Sequence, residues 1–210
     1  ELMEKFYDER KMWKKKMIEY QVEREACKDA KRRRQLDTLI KRAYNNQMVR
    51  KIALNSAYGA LANQYFAFFS IDLAEAITTS GQLIIQWSER TINEFMNKTL
   101  GTEGEDFVIA MDTDSVYITM DKLVKQVLPE ETDKGKIIDF LNKSEGMFEK
   151  VLADGFNELA EYTNAFQNKM EMGREVIADR GIWTAKKRYI LNVHDNEGVR
   201  LAEPKLKMMG

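Results

Sequence analysis

The chain has 210 residues, of which 44% are hydrophobic and 32% charged, and a formal net charge of −1. That is enough for one domain with a core, or for a domain with an appended arm. A single cysteine, Cys27, excludes a disulfide framework, and the lack of a signal-peptide pattern or a bilayer-spanning apolar run points to a soluble intracellular protein with no membrane partner. The near-neutral total conceals a division. Between Arg10 and Lys51 there are 15 Lys/Arg against 5 Asp/Glu, a balance of +10, which leaves −11 for the remainder. A basic arm on an acidic body suits a polyanion such as a phosphate chain, although a charge run is more often a solvated helix face.

From Glu1 to about Asn63 the chain is rich in Lys, Glu, Arg, Met and Leu and has no Pro, and no Gly before Gly59, which predicts helix throughout. Such a length needs a fold-back, and the most charged stretch, Lys28–Arg34, is the natural place for it. A fold-back centred at Arg32–Arg33 would set Arg10 level with Asn55 and Lys14 level with Lys51. Three cations and an amide would then form a polyphosphate grip, Arg holding oxygen atoms bidentately and Lys acting as a point charge. Asn55–Gly59 should end or bend this second helix, and the aromatics Tyr65, Phe66, Phe68 and Phe69 should enter the core. A long amphipathic helix follows over Asp72–Leu100, capped by Gly101 and covering a sheet, with Thr78-Thr79-Ser80-Gly81 hinting at close packing against another backbone.

Phe107–Met120 reads as two short apolar strands, Phe107–Ala110 and Val116–Ile118, joined by Asp112-Thr113-Asp114-Ser115 as a hairpin turn. Residues two apart share a strand face, so Asp112 and Asp114 would present two carboxylates together, and such a pair needs a cation. Hard oxygen ligands suit Mg²⁺. Asp and Ser are also ordinary turn residues, so the tetrad alone does not decide the matter. A calcium loop is excluded: counted from Asp112, the positions that need Gly and Glu hold Tyr117 and Leu123.

Beyond this hairpin, a helical region is broken near Pro129 and resumes over Met147–Phe166, with Phe148, Val151, Leu152, Phe156, Leu159 and Tyr162 as a core stripe. The period then changes to two. Lys169–Ala178 and Trp183–Val193 read as strands, Asp195–Gly198 as a hairpin turn and Val199–Ala202 as the return strand. His194, without a second histidine or a nearby cysteine, reads as a surface residue. Lys186-Lys187-Arg188 inside a strand would place charge on both faces, so one face should meet solvent or an anionic ligand. The fold class is α+β: helices covering a largely antiparallel sheet, with a long antiparallel helical hairpin at the N-terminus.

Several segments, in order, resemble the B-family (α-like) DNA polymerases, most closely the replicative branch of T4-like bacteriophages. Lys51-Ile52-Ala53-Leu54-Asn55-Ser56-Ala57-Tyr58-Gly59 is similar to the fingers motif Kx₃NSxYG, Asp112-Thr113-Asp114-Ser115 to the palm DTDS motif and Lys186-Lys187-Arg188-Tyr189 to the KKRY motif. Thr102–Glu105 and Ala202–Lys207 resemble segments particular to the phage branch. The resemblance implies catalytic, metal-binding roles for Asp112 and Asp114, with Asp114 the stronger direct ligand, and dNTP binding by Arg10, Lys14, Lys51, Asn55 and Tyr58, the last as floor beneath the nascent base pair. It implies a primer-gripping role for Lys186, Lys187, Arg188 and Tyr189. Glu175 becomes an accessory carboxylate, and Gly173 departs from the phage pattern, as does Met111, which precedes Asp112 where the family has Gly.

By this resemblance residues 1–63 are the fingers and residues 64–210 an incomplete palm. The upstream motif that supplies a further aspartate, the exonuclease domain and the thumb are not recognised in the chain. The implied activity is DNA-directed DNA polymerisation with two Mg²⁺ ions, Mn²⁺ being a possible substitute, in a site that is incomplete in this chain by itself. The implied partners are primer-template DNA, dNTPs, the remaining polymerase segments and, through them, a sliding clamp. The expected location is cytoplasmic, in an infected bacterial host. The alternatives are a non-catalytic nucleic-acid-binding module and an inactive truncated remnant.

Overall fold

A computed structural model describes residues 2–210. Among the described residues five helices and five strands follow in the order α1 (Leu2–Ala26), α2 (Ala30–Leu61), α3 (Ile71–Leu100), β1 (Val108–Asp112), β2 (Ser115–Ile118), α4 (Asp121–Val127), α5 (Lys134–Tyr162), β3 (Val176–Ala185), β4 (Arg188–Asn196) and β5 (Val199–Met209). The architecture is α+β, as expected, but with two separate sheets. One is the antiparallel pair β1–β2, and the other is three-stranded in the order β3-β4-β5. The chain divides into two compact units: residues 1–77 with 193–205, and residues 78–192 with 206–210.

In the first unit α1 and α2 form the antiparallel helical hairpin. Its turn lies earlier than the charge run suggested, at Cys27-Lys28-Asp29. Asp29 is the reason. Its carboxylate accepts the backbone N–H groups of Lys31 at 3.0 Å and Arg32 at 3.3 Å, a strong N-cap that restarts helix at Ala30 and draws Lys31–Arg34 into the first turns of α2. Ion pairs join the two arms between Glu9 and Arg50 (2.6 Å) and between Arg24 and Asp37 (2.5 Å). These pairings centre the fold-back close to residue 30, so Arg10 comes level with Arg50 and Lys51 rather than with Asn55. The coincidence of Arg10 with Asn55 and of Lys14 with Lys51 is therefore corrected. Met17 on α1 and Leu36, Ala43 and Gln47 on α2 are buried along the hairpin. α2 runs on through Gly59 to Leu61. The aromatics after it are not core: Tyr65 is 88% and Phe68 75% exposed, and Phe69 is also exposed.

The second unit holds the larger core. Ile92 and Met96 of α3, Phe107 and Val108 at the start of β1, Leu123 of α4, and Leu152 and Phe156 of α5 form one buried cluster. The apolar stripes of α3 and α5 pack with the β1–β2 hairpin in this cluster. Gly101 ends α3 at φ +67°, and the N–H of Thr102 donates to the carbonyl of Asn97 at 3.0 Å, as a left-handed cap requires. Close backbone packing occurs elsewhere than expected. Among the described residues a Cβ built on Gly81 would meet nothing within 4 Å beyond its own helix backbone and chain neighbours, whereas one built on Gly155 of α5 would sit 2.8 Å from Thr91 Oγ1 of α3.

α5 begins at Lys134, capped by Asp133, and ends at Tyr162; Tyr162 and Phe166 are exposed, not core. Of the expected strand Lys169–Ala178 only Val176–Ala178 is extended. The return strand β5 reaches Met209, well past Ala202. His194 is half-buried in β4, not at the surface, and its neighbour Asp195 is fully buried.

Candidate active site

The carboxylate tetrad sits at the tip of β1–β2, with one change of register. Asp112 pairs with Ser115, so Asp112 closes the strand and only Thr113 and Asp114 form the turn. Thr113 takes φ +57°, strained for a β-branched residue, and the N–H of Asp114 donates back to the carbonyl of Asp112 at 2.6 Å. Strand alternation stops at Asp112, so it does not set the direction of the Asp114 side chain. Asp112 is half-buried and accepts the Thr113 hydroxyl on Oδ1 at 2.9 Å, while Asp114 is exposed. A bulge interrupts the register between Val108 and Ala110, Phe107 and Val108 before it are buried, and Met111 lies exposed opposite Val116.

Two carboxylates with free oxygen lone pairs, one half-buried and one open, fit a hard divalent cation as partial ligands. Among the described residues neither joins an ion pair, and no group of three His, Cys, Asp or Glu gathers into a full ligand set.

Behind the turn, the second unit assembles an aromatic triad that the sequence reading did not single out. The ring of Tyr117 on β2 packs edge-on against Trp183 of β3 (5.3 Å between centroids) and Tyr189 of β4 (5.4 Å). Burial pushes the Tyr117 hydroxyl well above the ordinary tyrosine range, and a hydrogen bond with Tyr189 and the negative charges of Glu175 and Asp112 act in the same direction. Asp112, Glu175 and Tyr189 thus all act on one half-buried phenol. Glu175 lies just before β3 and is held by Lys207 Nζ of β5 at 2.8 Å. Trp183 and Tyr189 on the neighbouring strands β3 and β4 were the available signal, since cross-strand aromatic pairs stabilise sheets, whereas Tyr117 comes from the other sheet.

The basic motif does not lie within one continuous strand. The chain turns at Lys186–Lys187, with Lys187 at φ +61°, and β4 starts at Arg188. Three cations in one paired strand would put charge on a packed face; a hairpin tip leaves Lys186, Lys187 and Arg188 exposed while Tyr189 is buried.

In the first unit Arg10 and Lys14 lie one turn apart on α1, and Lys51, Asn55 and Tyr58 are exposed along the last turns of α2. Lys14 Nζ contacts Glu197 Oε1 at 2.5 Å. Glu197 carries no motif in the sequence, although a Glu rather than Asn or Asp before Gly198 in a two-residue hairpin loop is itself a departure. Among the described residues no helix is long and apolar enough to cross a membrane.

Residues 1–130 match the family model described as DNA polymerase family B. The DNA-directed DNA polymerase of Escherichia phage RB69 is 47% identical over 174 residues, 78% of this chain and 19% of the relative. That of Enterobacteria phage T4 is 43% identical over 178 residues, 80% of this chain and 20% of the relative. The chain thus spans about a fifth of the length of the curated relatives it matches. With the family match covering the helical hairpin and the Asp112–Ser115 turn, the chain belongs to DNA polymerase family B.

Proposed function

We propose that this chain supplies the fingers and most of the palm of a DNA-directed DNA polymerase that transfers nucleotides from dNTPs to a primer 3′-hydroxyl under template direction. The observation that carries the proposal is the two-carboxylate turn. Asp112 and Asp114 stand at a hairpin tip backed by a buried core, in a chain that belongs to a polymerase family. In this reading the two carboxylates hold divalent ions of the Mg²⁺ type, which when bound supply charge neutralisation at the attacking and leaving oxygens. A further carboxylate comes from outside the residues described here.

Arg10, Lys14, Lys51 and Asn55 hold the triphosphate by charge-assisted hydrogen bonds, and Tyr58 lies beneath the nascent base pair. Lys186, Lys187 and Arg188 reach the primer backbone from the β3–β4 turn, with Tyr189 anchoring that turn in the aromatic triad. Glu175, neutralised by Lys207, is an accessory carboxylate rather than a principal ligand. Partners are primer-template DNA, dNTPs and the polymerase segments that the relatives carry beyond this match.

The test is primer extension. Residues 1–210 alone should give negligible Mg²⁺-dependent incorporation, and robust incorporation by a clean preparation would overturn the shared-site reading. In an enzyme completed with the remaining segments, Asp114→Asn should lower kcat at least about a hundred-fold with DNA binding retained. Lys51→Ala should chiefly raise the KM for dNTP, by about ten- to a hundred-fold for a lost charge-assisted hydrogen bond. Small, equal effects would contradict the assigned roles. Manganese titration of residues 1–210, read by paramagnetic broadening at Asp112 and Asp114, should reveal weak binding; no broadening there would favour a non-catalytic DNA-binding module.

A further inference from the structure

We propose that Glu197 holds Lys14 in reserve, so that an incoming triphosphate must displace the Glu197 carboxylate before Lys14 can contact phosphate. This rests on the reading of Arg10, Lys14, Lys51 and Asn55 as the triphosphate grip. Lys14 Nζ lies 2.5 Å from Glu197 Oε1, and the two side chains are 41% and 17% exposed. The carboxylate is the more enclosed partner, and the ammonium stays open to solvent. Glu197 comes from the β4–β5 hairpin loop, remote in sequence from α1 but in the same compact unit.

Two further features fit a contact that is made without ligand and broken with it. Glu197 has φ +52° and is followed by Gly198 at φ +82°. A loop with two positive φ angles favours Asn, Asp or Gly at its first position, so Glu is kept there at a conformational cost. Asp195 steadies the loop by accepting the Gly198 N–H at 3.0 Å, which leaves the Glu197 carboxylate available for Lys14. Arg10, one turn from Lys14 on α1, has a buried Nε with no hydrogen-bond partner among the described residues. The unliganded grip thus has one cation neutralised and one donor unsatisfied, and a triphosphate would reverse both: it replaces Glu197 on Lys14 and supplies an acceptor to Arg10. A partly exposed ion pair is weak enough to yield to a polyvalent anion. The function served is selectivity, since a ligand without enough phosphate charge would not open the pair.

The experiment measures binding of inorganic triphosphate, and separately of Mg²⁺–dATP, to residues 1–210 by calorimetry and by fluorescence of Trp13, next to Lys14. Glu197→Gln should lower the Kd for triphosphate about five-fold, the size of effect expected on releasing one surface ion pair. Glu197→Gly, which also relieves the positive φ and so preserves the loop, should do the same. In a Lys14→Gln background neither change should have any effect. Unchanged or weaker binding by both Glu197 variants, with wild type still binding, overturns the proposal and leaves the triphosphate grip intact. A gain that persists in Lys14→Gln overturns it as well, because Glu197 would then act only as general negative charge. Absence of triphosphate binding in wild type and all variants removes the grip itself, and this proposal with it.

Discussion

Gly155 offers a sharp test of how the helices over the carboxylate hairpin pack. A Cβ built there lies 2.8 Å from Thr91 Oγ1, 2.9 Å from Thr91 Cγ2 and 3.4 Å from Thr91 Cβ. Thr91 is β-branched and lies within α3, so it has little rotamer freedom with which to withdraw. Gly155→Ala should therefore force the helices apart, at an overpacking cost of about 1–3 kcal/mol. Against this stands the better helix propensity of Ala, worth about 1 kcal/mol in a helix interior. The net expectation is a loss of about 0–2 kcal/mol.

The double variant Gly155→Ala/Thr91→Ala separates the two contributions. It removes Oγ1 and Cγ2 and leaves the Cβ contact at an ordinary 3.4 Å. The clash should vanish while the propensity gain stays, giving a coupling of about 1–3 kcal/mol between the sites. Urea unfolding of the wild type, both single variants and the double variant gives that coupling directly. A Gly155→Ala variant more stable than wild type, with no coupling to Thr91→Ala, would refute the close approach of α3 and α5.

Two other outcomes follow from the geometry. Tyr117 has a folded-state pKa above its unfolded value of about 10, so the stability it contributes is complete below that pH and declines as pH rises above it. Tyr117→Phe should flatten this alkaline loss, measured by unfolding across alkaline pH; an unaltered profile would contradict the burial and hydrogen bonding assigned to Tyr117. Asp29→Ala should cost about 1 kcal/mol by removing the α2 N-cap, whereas Asp29→Asn should cost much less; equal losses in thermal unfolding would mean that the cap does not place the turn.

Periodicity and local chemistry in the sequence were sufficient for the elements whose partners are near in the chain. The helical hairpin, the amphipathic helix ending at Gly101 and the two-stranded turn at Asp112–Ser115 each depend on local propensity, capping or alternation. The motif spacing was likewise sufficient for the family. Register was legible only in part. The run Lys28–Arg34 looked like the turn because it is the most charged stretch, but the single Asp29 cap outweighs it, and this moves Arg10 from Asn55 to Arg50 and Lys51. The aromatics Tyr65–Phe69 look like core in composition, yet they are exposed, because apolarity states a preference for burial without naming a partner.

What the tertiary structure alone decided is the company each charged side chain keeps. Sequence placed Lys14 on a basic helix face; the fold sets it against Glu197 from a hairpin loop almost at the other end of the chain. Sequence offered Glu175 as a spare carboxylate; the fold pairs it with Lys207. Gly155 carried no mark at all until α3 brought Thr91 against it. Each of these contacts joins residues far apart in the chain, and local rules of helix, strand and turn contain no information about which distant residues will meet. Residue types and their order were enough for the family and for the hairpin that carries Asp112 and Asp114, while the state of each cation in the proposed phosphate grip depends on long-range packing.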